Sequence, residues 1–114
     1  MACQLQFLTG SRAGQALRFT QAAFWIGRDP RCELPLDPQV DLQVSGRHAE
    51  LTLVSQSYQL RDTSTNGTFV NGQPVKQAIL HDGDVIQLGQ NGPQLRFSML
   101  RTEACVLRFQ PYVR

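Results

Sequence analysis

Two stretches, LQVSGRHAEL at residues 42–51 and RDTSTNGTFVNG at residues 61–72, decide how this chain folds. In each, a short polar loop that contains glycine adjoins apolar residues that recur at every second position. Ala49, Leu51 and Leu53 follow the first loop, and Tyr58 and Leu60 precede the second. In a β-strand, every second side chain points to the same face, so a spacing of two residues predicts a strand with one apolar face. Each stretch therefore predicts a loop at the end of a strand rather than part of a helix.

The same alternation recurs along the rest of the chain and predicts an all-β fold. Residues 49–54 and 58–61 alternate around a hairpin turn at residues 55–57, and glycine, asparagine or proline separates the other short runs. We expect a twisted antiparallel β-sandwich of about eleven short strands, because two packed sheets cover each other's apolar faces. One short strand is expected near residues 34–36, inside the otherwise irregular segment 29–44.

The length of the chain sets its domain organisation. A chain of 114 residues, of which 41% are hydrophobic and 18% charged, is sufficient for one core and too short for two. We assign residues 1–100 to this single domain and residues 101–114 to a C-terminal extension. Within the extension, residues 104–110 alternate again. This run is interpreted as an added edge strand, a linker or a surface for self-association.

Charge and hydropathy argue against several classes of partner. The formal net charge is only +2 and the basic residues are scattered, which argues against nucleic acid. No apolar run approaches the roughly 18 residues of a membrane span. The N-terminal residues also lack the basic start and apolar stretch of a secretion signal. We therefore expect a cytoplasmic protein without a membrane partner.

The cysteines predict neither a disulfide framework nor a metal site. Cys3, Cys32 and Cys105 are odd in number and lack the paired spacing that either arrangement needs. We interpret them as reduced thiols and expect no metal and no cofactor. Cys105 falls in an alternating pattern and is predicted to pack as a small hydrophobe, whereas Cys32, which follows Asp29-Pro30-Arg31, is predicted to be exposed.

Three loops carry the residue types that bind a phosphate. Gly27-Arg28, Ser45-Gly46-Arg47-His48 and residues 64–72 each follow or precede a strand-like run, and each combines glycine with hydrogen-bonding residues. A phosphate dianion offers three strong acceptor oxygens. A site for it favours a planar guanidinium, hydroxyl donors and backbone N–H groups on loops that glycine makes permissive. The sequence contains all three kinds of group.

The order and spacing of these loops closely resemble the signature of forkhead-associated (FHA) domains. The resemblance rests on Gly27-Arg28, on residues 42–51 and on residues 61–72, and LHDGDVIQLG at residues 80–89 is similar to a scaffold turn and strand of the family. The family implies the sandwich fold and a non-enzymatic module that binds phosphothreonine peptides. It also implies a serine/threonine kinase that phosphorylates the partner.

The resemblance assigns the binding of the phosphopeptide to five residues. Arg28 is expected to form a bidentate contact with the phosphate, which lysine would not reproduce. Ser45 and Thr65 are expected to contact the phosphate, and Arg47 to add attraction beside it. Asn66 is expected to hold the backbone of the bound peptide, because its amide both donates and accepts.

Structural roles are assigned to six further residues, namely Gly27, Gly46, His48, Gly67, Asn71 and Gly72. His48 is expected to brace its loop through hydrogen bonds. Gly67 permits a backbone conformation that side chains disfavour, and Asn71-Gly72 is typical of a tight turn. Many family members carry a basic residue or asparagine at the position of Gly46. The glycine therefore lacks the side chain with which those members contact the peptide main chain.

Two other functions are compatible with parts of this pattern. Ser45 and His48 suggest a nucleophile and its base, but no acidic residue is placed to orient the imidazole, so we predict that the protein is not an enzyme. The second alternative is an FHA-fold scaffold that acts in assembly without phosphate, through its outer sheet or residues 104–110. Trp25 is predicted to pack against the domain rather than to bind a ligand.

Overall fold

The computed structural model describes residues 1–100, which form two packed β-sheets. The strands in chain order are Ala2–Phe7 (β1), Ala16–Phe19 (β2), Ala23–Gly27 (β3), Leu34–Pro35 (β4), Ala49–Val54 (β5), Ser57–Asp62 (β6), Thr68–Val70 (β7), Gln73–Val75 (β8), Gln77–Ile79 (β9), Val85–Leu88 (β10) and Gln94–Leu100 (β11). The prediction of an all-β sandwich is confirmed. The predicted strand at residues 104–110 and the predicted packing of Cys105 lie outside the described residues.

The two sheets contain six and five strands. Their orders are β2-β1-β11-β10-β7-β8 and β4-β3-β5-β6-β9. All pairs are antiparallel except β3 with β4, which run parallel over two residues each. The parallel pair arises because residues 28–33 form a loop that returns to the side of β3, where the Leu36 N–H donates to the Gly27 carbonyl at 2.7 Å.

The turns fall where the sequence predicts them. Ser55 and Gln56 have φ angles of 50° and 69°, the left-handed pair of a two-residue hairpin, and the strand resumes at Ser57. Asn71 and Gly72 form a second left-handed pair, with φ of 52° and 83°. The first hairpin shows that two residues other than glycine adopt this geometry here.

A row of aromatic rings joins the two sheets through the core. Phe19 of β2 stacks on Phe24 of β3 with 4.2 Å between the ring centroids. Tyr58 of β6 then meets Phe24 and Phe97 edge to face, at 6.3 and 5.9 Å. Phe24, Tyr58 and Phe97 are at most 1% exposed. The row starts in the six-stranded sheet at Phe19, crosses two rings of the five-stranded sheet and returns to the six-stranded sheet at Phe97. Ring contacts at both crossings hold the two sheets against each other.

One prediction about the cysteines is wrong. Cys32 is only 7% exposed, and its Sγ lies 3.4 Å from the Gly46 carbonyl oxygen. The residue is buried because residues 28–33 fold back against residues 45–46, a contact between distant parts of the chain. Cys3 is buried in the core, and both cysteines are free thiols.

Residues 1–100 contain no helix, and therefore none that could serve as an apolar membrane span. The same residues contain no group of three histidine, cysteine or acidic side chains arranged to hold a metal ion.

The hydroxyl of Tyr58 provides a test of the core. It is buried and no hydrogen bond of good geometry reaches it in the described part of the chain, although the Cys3 thiol lies nearby. Burial, with a smaller contribution from Cys3, raises the pKa of Tyr58 to about 12. Because an unsatisfied buried hydroxyl contributes no stability, Tyr58→Phe is expected to leave the free energy of unfolding unchanged or raise it by about 1 kcal/mol. Urea unfolding followed by circular dichroism measures this change.

Phe97→Ala is the comparison variant, since it removes a whole ring from the same row and is expected to cost about 3–5 kcal/mol. A loss of more than about 1 kcal/mol in Tyr58→Phe would show that the hydroxyl forms a stabilising bond.

Candidate functional site

Three loops meet at one end of the sandwich. They connect β3 to β4 (residues 28–33), β4 to β5 (residues 36–48) and β6 to β7 (residues 63–67). The Arg28 and Asp29 N–H groups donate to the Ser45 and Gly46 carbonyls, both at 3.0 Å, and these bonds join the first loop to the second. The second loop joins the third through Thr63, whose hydroxyl donates to the Arg47 carbonyl at 2.6 Å.

Gly27 makes the junction of the first two loops possible. A Cβ at this position would lie 2.0 Å from the Gly46 carbonyl oxygen and 2.9 Å from that of Ser45, both of which are backbone atoms. No side chain fits in that space. The loop that carries Arg28 therefore lies against the loop that carries Ser45 only because residue 27 is glycine.

His48 joins the second and third loops from inside. Its side chain is fully buried, and its Nδ1 accepts a hydrogen bond from the Ser45 N–H at 3.0 Å. Its Nε2 lies 2.8 Å from the Gly67 carbonyl oxygen, and because a carbonyl only accepts, Nε2 carries the proton. The ring is thus a neutral imidazole with both nitrogens bound to backbone.

Ser45 and Thr65 lie together as a result. The Ser45 Oγ accepts a hydrogen bond from the Thr65 N–H at 2.9 Å. This bond uses the oxygen of the hydroxyl and leaves its hydrogen available to donate. Thr65 is exposed. The structure therefore brings the main chains of Arg28 and Thr65 to Ser45, the first through its carbonyl and the second through its hydroxyl.

Asp62 organises the third loop, and the sequence analysis missed it. One of its carboxylate oxygens accepts hydrogen bonds from the Ser64 N–H, the Ser64 hydroxyl and the Thr68 hydroxyl, at 3.0, 2.5 and 2.8 Å. Burial disfavours the charged carboxylate and acts to raise its pKa. The hydrogen bonds from Ser64 and Thr68 together outweigh this effect, so the pKa of Asp62 is lowered. An aspartate two residues before a serine is the signature of such a turn, and it could have identified this residue.

Asn66 and Asn71 have different surroundings. The Asn66 amide donates to the Gln43 carbonyl at 3.1 Å and is otherwise exposed on the third loop. Asn71 donates to the Asp84 carboxylate at 3.0 Å and accepts from the Val85 N–H at 2.9 Å. Asn71-Gly72 thus joins the β7–β8 turn to the start of β10, on the scaffold.

Arg28 is held by carbonyl oxygens and not by a carboxylate. Its Nε donates to the Val44 carbonyl and its Nη1 to the Pro38 carbonyl at 3.1 Å. Carbonyl groups orient a guanidinium without neutralising it, and three of its five N–H donors remain. No ion pair of Arg28 occurs among residues 1–100. Its charge and donors are therefore available to an anion.

Arg47 lies over the indole ring of Trp25, with its guanidinium carbon 5.3 Å from the ring centroid. Arg61 approaches the same ring at 5.8 Å, but its charge is paired with Glu50 at 2.6 Å. Arg47 forms no ion pair within the described part of the chain. The ring restricts the side chain of Arg47 at the base of the second loop. The sequence alone could not predict this contact, because Trp25 lies on a different strand.

Asp29 and Gly46 complete the first two loops. Hydrogen bonds from Arg31 lower the pKa of Asp29 to about 2, so this carboxylate is already bound beside Arg28. Gly46 has open space around the position of a Cβ and no positive φ. Steric hindrance therefore does not require glycine at residue 46.

The geometry does not provide a hydrolytic pair. The His48 nitrogen nearest Ser45 accepts the Ser45 backbone N–H, and the other is bound to Gly67, so neither ring nitrogen can take the proton of the Ser45 hydroxyl. A nucleophilic serine needs a base in hydrogen-bond contact with its oxygen. The cluster provides hydroxyl, guanidinium and amide donors around an open surface, which suits the binding of an anion.

Comparison with known proteins identifies the fold family. A sequence model described as the FHA domain matches residues 24–89, more than half of the chain. This protein belongs to the FHA domain family. A solved FHA domain, from a structural and functional analysis of phosphothreonine-dependent FHA domain interactions, is 36% identical with a TM-score of 0.75 and covers 90% of this chain and 100% of its own. The FHA domain of FhaA, crystallised with the intracellular domain of a second protein, is 34% identical with a TM-score of 0.71, covering 83% and 98%.

Curated relatives of this FHA domain are named as regulators. The glycogen accumulation regulator GarA of Mycobacterium tuberculosis is 40% identical over 82 residues, which make up 71% of this chain and 49% of that protein. An oxoglutarate dehydrogenase inhibitor of Corynebacterium jeikeium is 38% identical over 82 residues, 71% of this chain and 55% of its own length. The chain thus spans about half the length of the curated relatives it matches.

The junction at Gly27 predicts an unequal effect of two glycine substitutions. Gly27→Ala forces a methyl group into the backbone of residues 45–46 and is expected to lower the free energy of unfolding by about 1–3 kcal/mol or more. Gly46→Ala enters open space and is expected to change it by less than about 0.5 kcal/mol. Urea unfolding of both variants measures the difference, and equal effects would contradict the role given to Gly27.

The neutral state of His48 predicts how stability depends on pH. Burial lowers the pKa of His48 from its usual value of 6.5, against smaller opposing contributions from Gly67 and Asp62. The unfolded chain therefore takes up this proton more readily. The contribution to folding is complete above about pH 6.5 and is lost as the pH falls toward the lower pKa of the folded state.

Urea unfolding between about pH 7.5 and pH 5 tests this dependence. His48→Gln should be less stable at neutral pH and should lose the part of the slope that His48 causes. The matched control is His81→Gln, because the side chain of His81 is 79% exposed and lies outside the loop cluster. An unchanged slope in His48→Gln would contradict the assignment.

Proposed function

We propose that this FHA domain binds threonine-phosphorylated segments of a partner protein and carries out no catalysis itself. The observation that supports this most is the convergence of Arg28, Ser45 and Thr65, joined by the Arg28 N–H to Ser45 carbonyl bond and the Thr65 N–H to Ser45 Oγ bond. These residues provide a guanidinium fork and two hydroxyl groups on loops that adjoin one another. That set of donors suits a phosphate dianion.

Each proposed contact has a separate role. Arg28 would bind phosphate oxygens with the donors that its carbonyl contacts leave free, and Ser45 would donate its hydroxyl hydrogen. Thr65 would contact the phosphate from the third loop. Arg47 would add attraction from its position on Trp25. Asn66 would bind the peptide backbone with the amide groups that its bond to Gln43 leaves unused.

The energies favour reversible binding. A few charge-assisted hydrogen bonds of about 1.5–3 kcal/mol each, less the cost of ordering a flexible peptide, leave about 7–9 kcal/mol, which corresponds to micromolar affinity. Most of this is lost without the phosphate. A kinase that phosphorylates the partner would therefore control the association.

The relatives support a binding role over a catalytic one, since their names describe a regulator and an inhibitor. By analogy, this domain would supply the interaction with a partner protein in a cytoplasmic regulatory process. The alternative is binding without phosphate, through a sheet face or residues 104–110. A comparison of phosphorylated and unphosphorylated peptides distinguishes the two.

Titration of a phosphothreonine peptide library by isothermal calorimetry tests the proposal. The wild type should bind its best phosphothreonine peptide with a micromolar Kd, and the unphosphorylated form at least about 100-fold more weakly. Arg28→Ala should weaken binding about 10- to 100-fold, and Arg28→Lys should restore only part of it because it lacks the fork.

The matched control is Arg18→Ala, which removes an exposed arginine from β2. It should bind like the wild type. Equal affinity for phosphorylated and unphosphorylated peptides, or an unchanged Kd in Arg28→Ala, would overturn the proposed site.

A further inference from the structure

A groove of about 620 Å³ lies beside the three loops of the candidate site. Arg28 lines this groove, whereas Ser45 and Thr65 do not. The groove lies between the β1–β2 turn, which contributes Arg12, and residues 35–39, which run from the end of β4 into the second loop. Its walls include three prolines and Leu36, so much of the lining is apolar and rigid. The groove thus begins at Arg28, a residue of the proposed phosphate site, and leads to the β1–β2 turn.

The second cation of the groove, Arg12, is fixed in the same manner as Arg28. Its Nη1 donates to the Pro35 carbonyl at 2.9 Å, and its Nε donates to the Gln15 side chain at 2.9 Å. Its guanidinium carbon lies 5.6 Å from the centre of the Phe7 ring. These contacts hold the guanidinium in place and leave three of its five N–H donors.

Neither guanidinium is neutralised. The four ion pairs of residues 1–100 involve Arg31, Arg61, Lys76 and His81, and neither Arg12 nor Arg28 takes part in any of them. Asp37 is the one carboxylate among the residues that line the groove, and its Oδ1 accepts the Gln39 N–H at 2.8 Å. Two guanidinium groups against one carboxylate give the lining a net charge of +1.

We propose that this groove is a second anion subsite, which takes an acidic side chain or a second phosphorylated residue from the same segment that carries the phosphothreonine. The inference rests on the proposed function and adds a sequence preference to it. Arg28 would face the phosphothreonine, and Arg12 would bind the second anion. Because both side chains and the prolines are already held, little conformational freedom is lost on binding, which favours selectivity.

Phosphothreonine peptides that differ at a single flanking position test the subsite. Each position from four residues before to four residues after the phosphothreonine carries alanine, lysine, aspartate, glutamate or phosphoserine in turn, and Kd values are measured for wild type, Arg12→Gln and Arg12→Lys. We expect one position at which an anion tightens binding about three- to tenfold over alanine, with lysine weaker than alanine. Comparison of aspartate and glutamate with phosphoserine at that position shows whether the subsite prefers a carboxylate or a phosphate.

Arg12→Gln should abolish that preference while the peptide with alanine there keeps its Kd within about twofold, and Arg12→Lys should keep part of the preference. Arg18→Gln is the matched control and should retain all of it. Circular dichroism of each variant shows whether the fold is intact. If Arg12→Gln unfolds, the anion preference of Arg12→Lys, which keeps the charge, is compared with that of the wild type across the same peptides.

Two results would overturn the subsite. One is a wild type that binds phosphothreonine but prefers an anion at no flanking position, and the other is a preference that Arg12→Gln leaves unchanged. Both leave the proposed function intact, because phosphothreonine still binds. A wild type that binds none of the phosphopeptides would overturn the proposed function together with the subsite.

Discussion

The close approach of two backbone segments, at Gly27 and Gly46, is the constraint on which the site depends. The Arg28 and Asp29 N–H groups donate to the Ser45 and Gly46 carbonyls, and a Cβ at residue 27 would lie 2.0 Å from the Gly46 oxygen. Backbone bonds of this kind fix a loop more firmly than contacts between flexible side chains. The His48 ring joins the second loop to the third, because one nitrogen accepts the Ser45 N–H and the other donates to the Gly67 carbonyl. The site therefore depends on Gly27 and on a neutral buried ring.

The charge of the site follows from how its cations are held. Arg28 is oriented by carbonyl oxygens and Arg47 by the Trp25 ring, and neither kind of partner cancels a positive charge. The nearby carboxylates of Asp29 and Asp62 are bound by hydrogen-bond donors from their own loops. The domain thus places its cations before any ligand arrives, which reduces the reorganisation that binding an anion requires.

Local patterns predicted the strands and the turns, whereas contacts between distant residues escaped prediction. The period of two located β5 and β6, and Asn71-Gly72 marked a turn, because each depends on neighbouring residues alone. The burial of Cys32 and the stacking of Arg47 depend on strands that are distant in sequence, as does the parallel β3–β4 pair. The resemblance to FHA domains named the residues that converge, but only the coordinates show which backbone bonds bring Arg28 beside Ser45.

A crystal structure of the domain with a bound phosphothreonine peptide tests the central claim most directly. The account predicts a phosphate whose oxygens lie within about 3.5 Å of the Arg28 guanidinium, the Ser45 hydroxyl and Thr65 at the same time. The Arg28 and Asp29 N–H bonds to the Ser45 and Gly46 carbonyls are preserved in that complex. A phosphate bound elsewhere on the domain, or bound by one loop after the other two have separated, would contradict it.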